Sequence, residues 1–428
     1  MGGRIPFGDF LTKFLPIRLR RDTFIVLDVG TFSVKGLVVE IEKGEKSGRV
    51  IASSNRYHVG GDMNSDGSFN IEGVIATSRS VINELRRQVG PKAGMIKDTV
   101  LGIGGGFVLG KTLAQTYIRE SPQEEIDARE LDNIIQKVQQ RNFEQIRRDF
   151  HKDTGRSELD VHIVNSAVLE IKIDGYQIVN PVGFRGKEIS CSVFNSYLSK
   201  SYYALLLKLI AAIGLNLRQI TAESYAVFNT VLKHNSAIGD FILIDIGGNV
   251  TEIALTRKGK LEDMRSIALG GSSFTGSIAE RLKIGFWEAE NIKRKFSKGD
   301  VSGRVRRLIE EIILRDVELL LHGLELVLVD MSQVSLLPSS IYLYGGGSAI
   351  PLLNKILGKK DWRESLSFFS RPVIADLPAL AIIHFPPDLC AIHWHVSLSL
   401  ADLYISEGRK EDDLTKVVNR SLRLIQGT

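Results

Sequence analysis

Cysteine is nearly absent: Cys191 and Cys390 are the only two in 428 residues. Two thiols cannot frame a disulfide scaffold, which points to a reducing, cytosolic setting. No run of 18 apolar residues occurs either, so no segment reads as a membrane-spanning helix. The apolar residues near the start are broken by proline, aspartate, lysine and arginine, so no secretory signal is expected. Low-complexity tracts are missing. Charge of one sign is not concentrated: 55 basic residues face 50 acidic ones, and the excess of +5 is spread along the chain. A nucleic-acid binder needs a basic stripe, so nucleic acid is not an expected partner. What is present is an ordinary globular composition, 43% hydrophobic and 25% charged. The length exceeds one core, and two subdivided domains are expected.

The most informative stretch is Phe24-Ile-Val-Leu-Asp28-Val-Gly30-Thr31-Phe-Ser33-Val-Lys35-Gly36, which reads as strand, tight turn, strand. The same order returns 217 residues later in Phe241-Ile-Leu-Ile-Asp245-Ile-Gly247-Gly248-Asn249-Val250-Thr251-Glu252. Phe24 matches Phe241, Asp28 matches Asp245 and Gly30 matches Gly247 without a gap. A third turn, Gly345-Gly346-Gly347-Ser348, follows the apolar Ile341-Tyr-Leu-Tyr and precedes a helix expected from Pro351. Either hairpin alone is compatible with a plain meander turn. Together with the third turn they point to a divided nucleotide site. A glycine turn lets backbone N–H groups approach a phosphate closely. An aspartate beside each turn can hold a hydrated Mg²⁺ that bridges phosphate oxygens.

Residues 4–21 place Phe7, Phe10, Leu11, Phe14 and Leu15 on one helical face, with five basic residues against Asp9. That composition suits an interfacial membrane helix, a partner-binding helix or a leader packed on the domain. A helix is expected from about Ile71 to Val89. Gly104-Gly105-Gly106 follows a strand but opens no helix, so it reads as a turn with close backbone packing rather than a phosphate loop. Ser121-Pro-Gln-Glu124 carries a capping-box signature and is expected to open the next helix. Residues 95–183 form a small α+β unit inserted into the first domain. Gly270-Gly271 leads a helix through Leu282, and Glu290 and Lys293 share a face of the helix after it. A long helix runs from about Val305 to Val329. The last segment places Leu414, Val417, Val418, Leu422 and Ile425 on one face, a second amphipathic candidate.

Doubled Asp-Gly hairpins with a late Gly-Gly-Gly turn resemble the actin, sugar-kinase and heat-shock-chaperone ATPase superfamily. Within it the chain looks most like the FtsA family of bacterial cell-division actin homologues, over roughly residues 22–405. Asp245-Ile-Gly-Gly looks like that family's second phosphate loop, and Gly270-Gly271 like the segment just beyond. Ala289-Glu290-Asn-Ile292-Lys293 looks like its nucleotide-side helix, and Asn180-Pro181-Val182-Gly183 like the close of its subdomain 1C. The resemblance implies an α/β, actin-like two-domain ATPase fold with an inserted α+β 1C-type subdomain. It divides the chain into a leader (1–21), subdomain 1A (22–94 and 184–235, with a return at 366–405) and a 1C-like insert (95–183). The remainder is subdomain 2A (236–272 and 336–365), a shortened 2B-like region (273–335) and a linker with a terminal helix (406–428).

The resemblance also implies roles. Gly30, Thr31, Ser33 and Lys35 would contact the β- and γ-phosphates of ATP, with Gly247, Gly248 and Thr251 closing from the other side. Asp28 and Asp245 would position hydrated Mg²⁺. Glu223 would orient attacking water, although a carboxylate there also suits a helix N-terminus. Gly271, Gly345, Gly346 and Gly347 would face the nucleotide, and Glu290 and Lys293 the ribose or adenine, unless they form only a surface ion pair. Asn249, Val250 and Glu252 depart from the family's loop, and Val250 removes a hydroxyl, so a weak or slow ATPase at most is expected. The implied function is a self-associating division scaffold, peripheral on the cytoplasmic face of the inner membrane. Its expected partners are the FtsZ C-terminal tail, copies of itself through the 1C-like unit, other divisome proteins, and the membrane through residues 4–21 or 414–427. A PilM-like homologue of pilus assembly is the alternative. A sugar or acid kinase would need an acceptor-binding insertion with a catalytic aspartate, and none is evident.

Overall fold

The computed structural model describes residues 23–407 other than 42–46, 60–69, 92, 235–238, 333–335, 358–365, 369, 378–379, 381–382 and 391, together with residues 421, 425 and 426. The leader at 4–21 and most of the terminal segment at 414–427 lie outside the described residues.

The first half opens with an antiparallel meander of β1 (Thr23–Val29), β2 (Ser33–Ile41) and β3 (Gly48–Tyr57). Helix α1 (Ile71–Val89) follows where its spacing predicts. The Asn70 side chain caps it by accepting from the Gly73 N–H, and Val74, Val81, Ile82 and Leu85 turn inwards. Gly36 permits close packing, since a Cβ there would lie 2.6 Å from Val81 Cγ1. Strand β4 (Asp98–Ile103) runs parallel to β1. Residues 98–103 were expected in the inserted unit; their pairing puts them in the first sheet instead.

The insert comprises β5 (Leu109–Ile118), α2 (Ala128–Thr154), β6 (His162–Ile173), β7 (Tyr176–Gln177) and β8 (Glu188–Leu198). It has a core of its own around Ile134, Val138, Ile146 and Val193. Its helix does not start at Ser121-Pro-Gln-Glu124, where the Glu124 N–H donates to the Ser121 carbonyl in a turn. The cap is Asp127, whose side chain accepts from the Glu130 N–H at 2.7 Å. Arg119 explains the shift. Its buried guanidinium donates twice to the Glu130 carboxylate at 2.7 Å, and also to the Glu124 and Gly186 carbonyls. The chain wraps around that charge before helix can begin. The ladder of β8 with β5 and β6 carries the unit on to Leu198, beyond the expected close at residue 183.

Helix α3 (Lys200–Ala212) is capped by Ser199 and closed by Gly214 at φ +70°, as its glycine predicts. Strand β9 (Asn216–Ala222) joins β4 in parallel, and α4 (Glu223–His234) leads to the second half. There the meander repeats as β10 (Phe241–Ile246), β11 (Thr251–Arg257) and β12 (Lys260–Ile267). Helices α5 (Gly271–Leu282), α6 (Phe286–Lys298) and α7 (Gly303–Met331) follow. Residues 271–331 hold no strand among those described, so the expected 2B-like region is helical. Strand β13 (Ser340–Tyr344) lies parallel to β10 as β4 lies to β1, and α8 (Pro351–Leu357) succeeds it. Strand β14 (Val373–Ala375) still pairs with β13, so the return expected from residue 366 begins only with β15 (Ile383–His384) beside β3. Helix α9 (His395–Glu407) then packs on α4 and the first sheet.

The sheet orders are β15-β3-β2-β1-β4-β9 and β14-β13-β10-β11-β12-β5-β8-β6-β7. The insert's sheet is thus continuous with that of the second half. The join is the short β12–β5 pairing of Met264 with Gly110 and Asp263 with Lys111. Gly110 is what brings them together, because a Cβ there would lie 2.6 Å from Met264 Sδ.

Candidate functional site

Both meanders end their first strand in the same place, a cleft between the halves. The hairpins share a register: Asp28 lies across from Lys35, and Asp245 across from Glu252. Between them is a cavity of about 430 Å³, within the range that holds a nucleotide-sized ligand. It is lined by Asp28, Gly30, Thr31, Ser33, Lys35, Glu223, Asp245, Gly247, Gly248, Gly271, Glu290, Lys293, Gly345, Gly346 and Gly347. One expected member is elsewhere. Thr251 is buried with its hydroxyl donating to the Leu269 carbonyl at 2.8 Å, so it braces the chain ahead of α5.

The floor of the cleft is charged and buried. Lys35 Nζ donates to Asp28 Oδ2 at 3.0 Å, and the Ser397 hydroxyl donates to the same oxygen at 2.8 Å. Burial alone would lower the Lys35 ammonium, but the carboxylates of Asp28, Glu223 and Asp245 outweigh it and the net shift is upward. Burial, reinforced by Glu252, pushes the Asp245 carboxyl up to about 8. Glu223 is pushed well above the carboxylate range by burial and by Asp28 and Glu252 beside it. Three carboxyl groups therefore surround one ammonium. Asp28 Oδ1 and Glu223 Oε1 are buried with no hydrogen-bond partner among the described residues. An excess of carboxylate with unsatisfied oxygens fits a hydrated divalent cation. No group of three or more His, Cys, Asp or Glu gathers closely enough to ligate a metal among the described residues.

The turns are built for close approach. Gly30 N–H donates to the Ser33 carbonyl, and Gly247 N–H to that of Val250, the same tight turn twice. The two tips touch, for the Asn249 N–H donates to Thr31 Oγ1 at 3.2 Å and Phe32 packs directly on Gly248. Helix α5 sits under the second turn, with the Gly271 and Ser272 N–H groups bonded to the Gly247 and Gly248 carbonyls. Gly345 adopts φ +83°, and a Cβ there would collide with Asp245 Oδ1 and the Ile246 carbonyl. Gly345→Ala is therefore expected to lower stability by roughly 2–3 kcal/mol and to weaken nucleotide binding. Urea denaturation and calorimetric titration check both, and a variant of wild-type stability would contradict this account of the turn.

On the far side Glu290 and Lys293 form a buried pair at 2.8 Å rather than a surface one. Burial pushes the Glu290 carboxyl up, but Lys293, Thr275 and Arg294 outweigh it and the net shift is down. Lys293 Nζ also donates to the Gly271 carbonyl at 2.7 Å and to Thr275 Oγ1 at 2.8 Å, tying α6 to the start of α5. Arg294 stacks over the Tyr57 ring at 4.1 Å, closing the mouth from the other half.

Several cleft residues carry no motif. Glu252 could have been found by extending the hairpin repeat to the position that matches Lys35. Gly105 lines the cleft although its turn reads as mere packing, while Ser397, His393 and Val396 arrive from a stretch with no glycine signal.

Comparison with known proteins follows the same lines. Residues 242–381 match the family model described as cell division protein FtsA. The chain is 22% identical over 275 residues to cell division protein FtsA of Bacillus subtilis, covering 64% of this chain and 58% of that one. It is 23% identical over 352 residues to the Streptococcus pneumoniae protein of that name, covering 78% and 72%. The match thus spans less than two thirds of the Bacillus relative's length. Among solved structures, the PilM–PilN type IV pilus biogenesis complex superposes with a TM-score of 0.62 at 16% identity, covering 89% of this chain and 98% of that one. The chain therefore has the actin-like ATPase fold, and over residues 242–381 it is similar to the FtsA family.

Proposed function

We propose that the chain is an ATP-binding, self-associating actin-like scaffold of bacterial cell division. In this reading it tethers the FtsZ ring to the cytoplasmic membrane and recruits other division proteins. The observation that carries it is a coincidence of place. The window that matches the FtsA model, residues 242–381, holds Asp245, Gly247, Gly248, Gly271, Glu290, Lys293 and Gly345–Gly347, one entire wall of the cleft.

Gly30, Thr31, Ser33 and Lys35 receive the phosphates from one side, and Gly247 and Gly248 from the other. Asp28 and Asp245 would hold magnesium, which would supply neutralisation of the phosphate charge. Glu223 accepts a hydrogen bond from the attacking water and so orients it. Thr31, Asn249 and Phe32 already bring the hairpin tips together, and ATP between them favours the closed, polymerising conformation. Val250 stands in the cradle without a hydroxyl, in keeping with slow turnover. Self-association uses the insert, whose outer loop leaves Tyr176, Val179 and Phe184 exposed. No helix among the described residues is long and apolar enough to cross a membrane, and peripheral attachment through residues 4–21 or 414–427 is part of this proposal.

For the FtsZ tail the receiving surface is α7. One face of that helix is buried through Ile313, Val317, Leu320 and Leu324, while Leu308, Leu319, Leu326 and Val329 stay exposed on the other. The test is fluorescence anisotropy of the chain with MgATP against the C-terminal peptide of FtsZ from the same genome. The cytosolic-tail peptide of PilN is titrated in parallel, because a pilus-assembly homologue of this fold is the reading to be excluded. Saturable FtsZ-peptide binding that Leu319→Lys weakens about tenfold or more supports the division scaffold. Binding to the PilN peptide alone replaces it, and binding to neither removes the tethering role.

A further inference from the structure

Glu252 has no task in the scheme above, yet it is 5% exposed and sits at the back of the cleft where four chain segments meet. Its Oε2 accepts from the Ser224 hydroxyl at 2.9 Å, and its Oε1 from the Gly106 N–H at 3.3 Å. The Gly105 N–H adds to the same carboxylate. Ser224 in turn shares a hydrogen bond with the Tyr344 hydroxyl at 3.1 Å, one residue before the Gly345 turn. Both walls that Glu252 grips belong to the other half of the molecule, and both adjoin Glu223. Ser224 follows it at the start of α4. Gly104 lies under its carboxyl, since a Cβ on Gly104 would stand 2.6 Å from Glu223 Oε2.

We propose that Glu252 is a positioning residue for Glu223. By holding the Gly104–Gly106 turn and Ser224 at once, it fixes the two surfaces against which the Glu223 carboxyl rests. The hairpin register gives this a simple origin. Lys35 and Glu252 occupy equivalent places in the two hairpins. In the first half that place points a cation at the phosphate end; in the second it holds a carboxylate whose two oxygens are already engaged by the opposite half. Gly105 and Gly106, at φ +72° and +83°, turn their N–H groups to it in a conformation that favours glycine. The role rests on the proposed nucleotide reading, which the experiment checks separately.

Glu252→Gln keeps the shape and an acceptor for Gly106 but presents an amide N–H₂ to Ser224, whose hydroxyl must then turn away. Glu252→Asp keeps the charge and shortens the reach. For the full chain and both variants, affinity is measured for MgADP and for MgADP with aluminium fluoride, a planar mimic of the transferring phosphoryl group. A misplaced orienting group costs up to about a hundredfold in rate. We expect Glu252→Gln to lose about tenfold in the preference for the fluoride complex over MgADP, a ratio in which any shift of the Asp245 carboxyl cancels, and Glu252→Asp to recover part of the loss. This comparison needs no turnover. Equal affinities for the variants and wild type overturn the role, as does an equal fall for both ligands, which marks a general structural part. Wild-type protein that binds MgADP without preferring the fluoride complex overturns it as well. Failure of wild type to bind MgADP at all overturns the nucleotide reading first, and this role with it.

Discussion

Lys35→Ala abolishes MgATP binding and destabilises the first half by about 3–5 kcal/mol, the scale for removing one partner of a buried ion pair. Lys35 is the ammonium among Asp28, Glu223 and Asp245 on the cleft floor, and its side chain is only 15% exposed. Without it Asp28 keeps only the Ser397 hydroxyl on the oxygen that Lys35 had shared. The loss is capped, because a buried carboxyl can take up a proton instead of staying charged. Lys35→Arg is not expected to restore binding. A planar guanidinium cannot replace a point charge that three carboxylates approach from different directions. Urea denaturation followed by fluorescence reads the stability, and calorimetric titration reads the binding. A Lys35→Ala protein that keeps wild-type affinity for MgATP would remove Lys35 from the phosphate site.

The residues of that floor differ in how far sequence could reveal them. Asp28, Lys35 and Asp245 were legible because each hairpin is local: strand, tight turn and strand follow one another without interruption, from Thr23 to Ile41 and from Phe241 to Arg257, and the glycines fix the geometry. Glu252 was legible in principle, since the register that pairs Asp28 with Lys35 pairs Asp245 with residue 252. Ser397 was not. It reaches Asp28 across 369 positions, from a helix whose pattern is simply apolar. Sheet membership was equally hidden. The apolar pattern of residues 98–103 says strand, but only the parallel pairing with β1 and β9 says which sheet. The error at Ser121–Glu124 has a different cause. The ion pair of the buried Arg119 guanidinium with Glu130 sets the helix start at Asp127, a tertiary contact that local spacing does not contain. Lys293 is expected from sequence to face the ribose or adenine; its contacts with Gly271, Thr275 and Glu290 hold α5 and α6 together, and helical spacing predicts only the last of these.

The second large effect is a reversal of pH dependence by nucleotide. In the free protein burial holds the Asp245 carboxyl at about 8, against an ordinary value of 3.8, and Glu223 is raised as well. Between those limits the folded cleft binds more protons than the unfolded chain. Stability of the free protein therefore falls as pH rises from about 4 to 8, by up to about 1.4 kcal/mol per pH unit for each proton involved. Below that window both states are protonated, and the stability due to Asp245 is fully present. A magnesium–nucleotide complex needs the same carboxylate ionised, so binding near neutrality displaces the proton. MgADP affinity then rises about tenfold per pH unit from 6 to 8 and levels off above. Titrations at pH 7 in buffers of different ionisation enthalpy count the release, expected at about one proton per site. Asp245→Asn cannot ionise: it flattens the binding curve and reduces the slope of the stability curve to the share that Glu223 contributes. Affinity that is level from pH 6 to 8 with no proton released would mean that Asp245 faces the ligand uncharged, and its place beside magnesium would have to be given up.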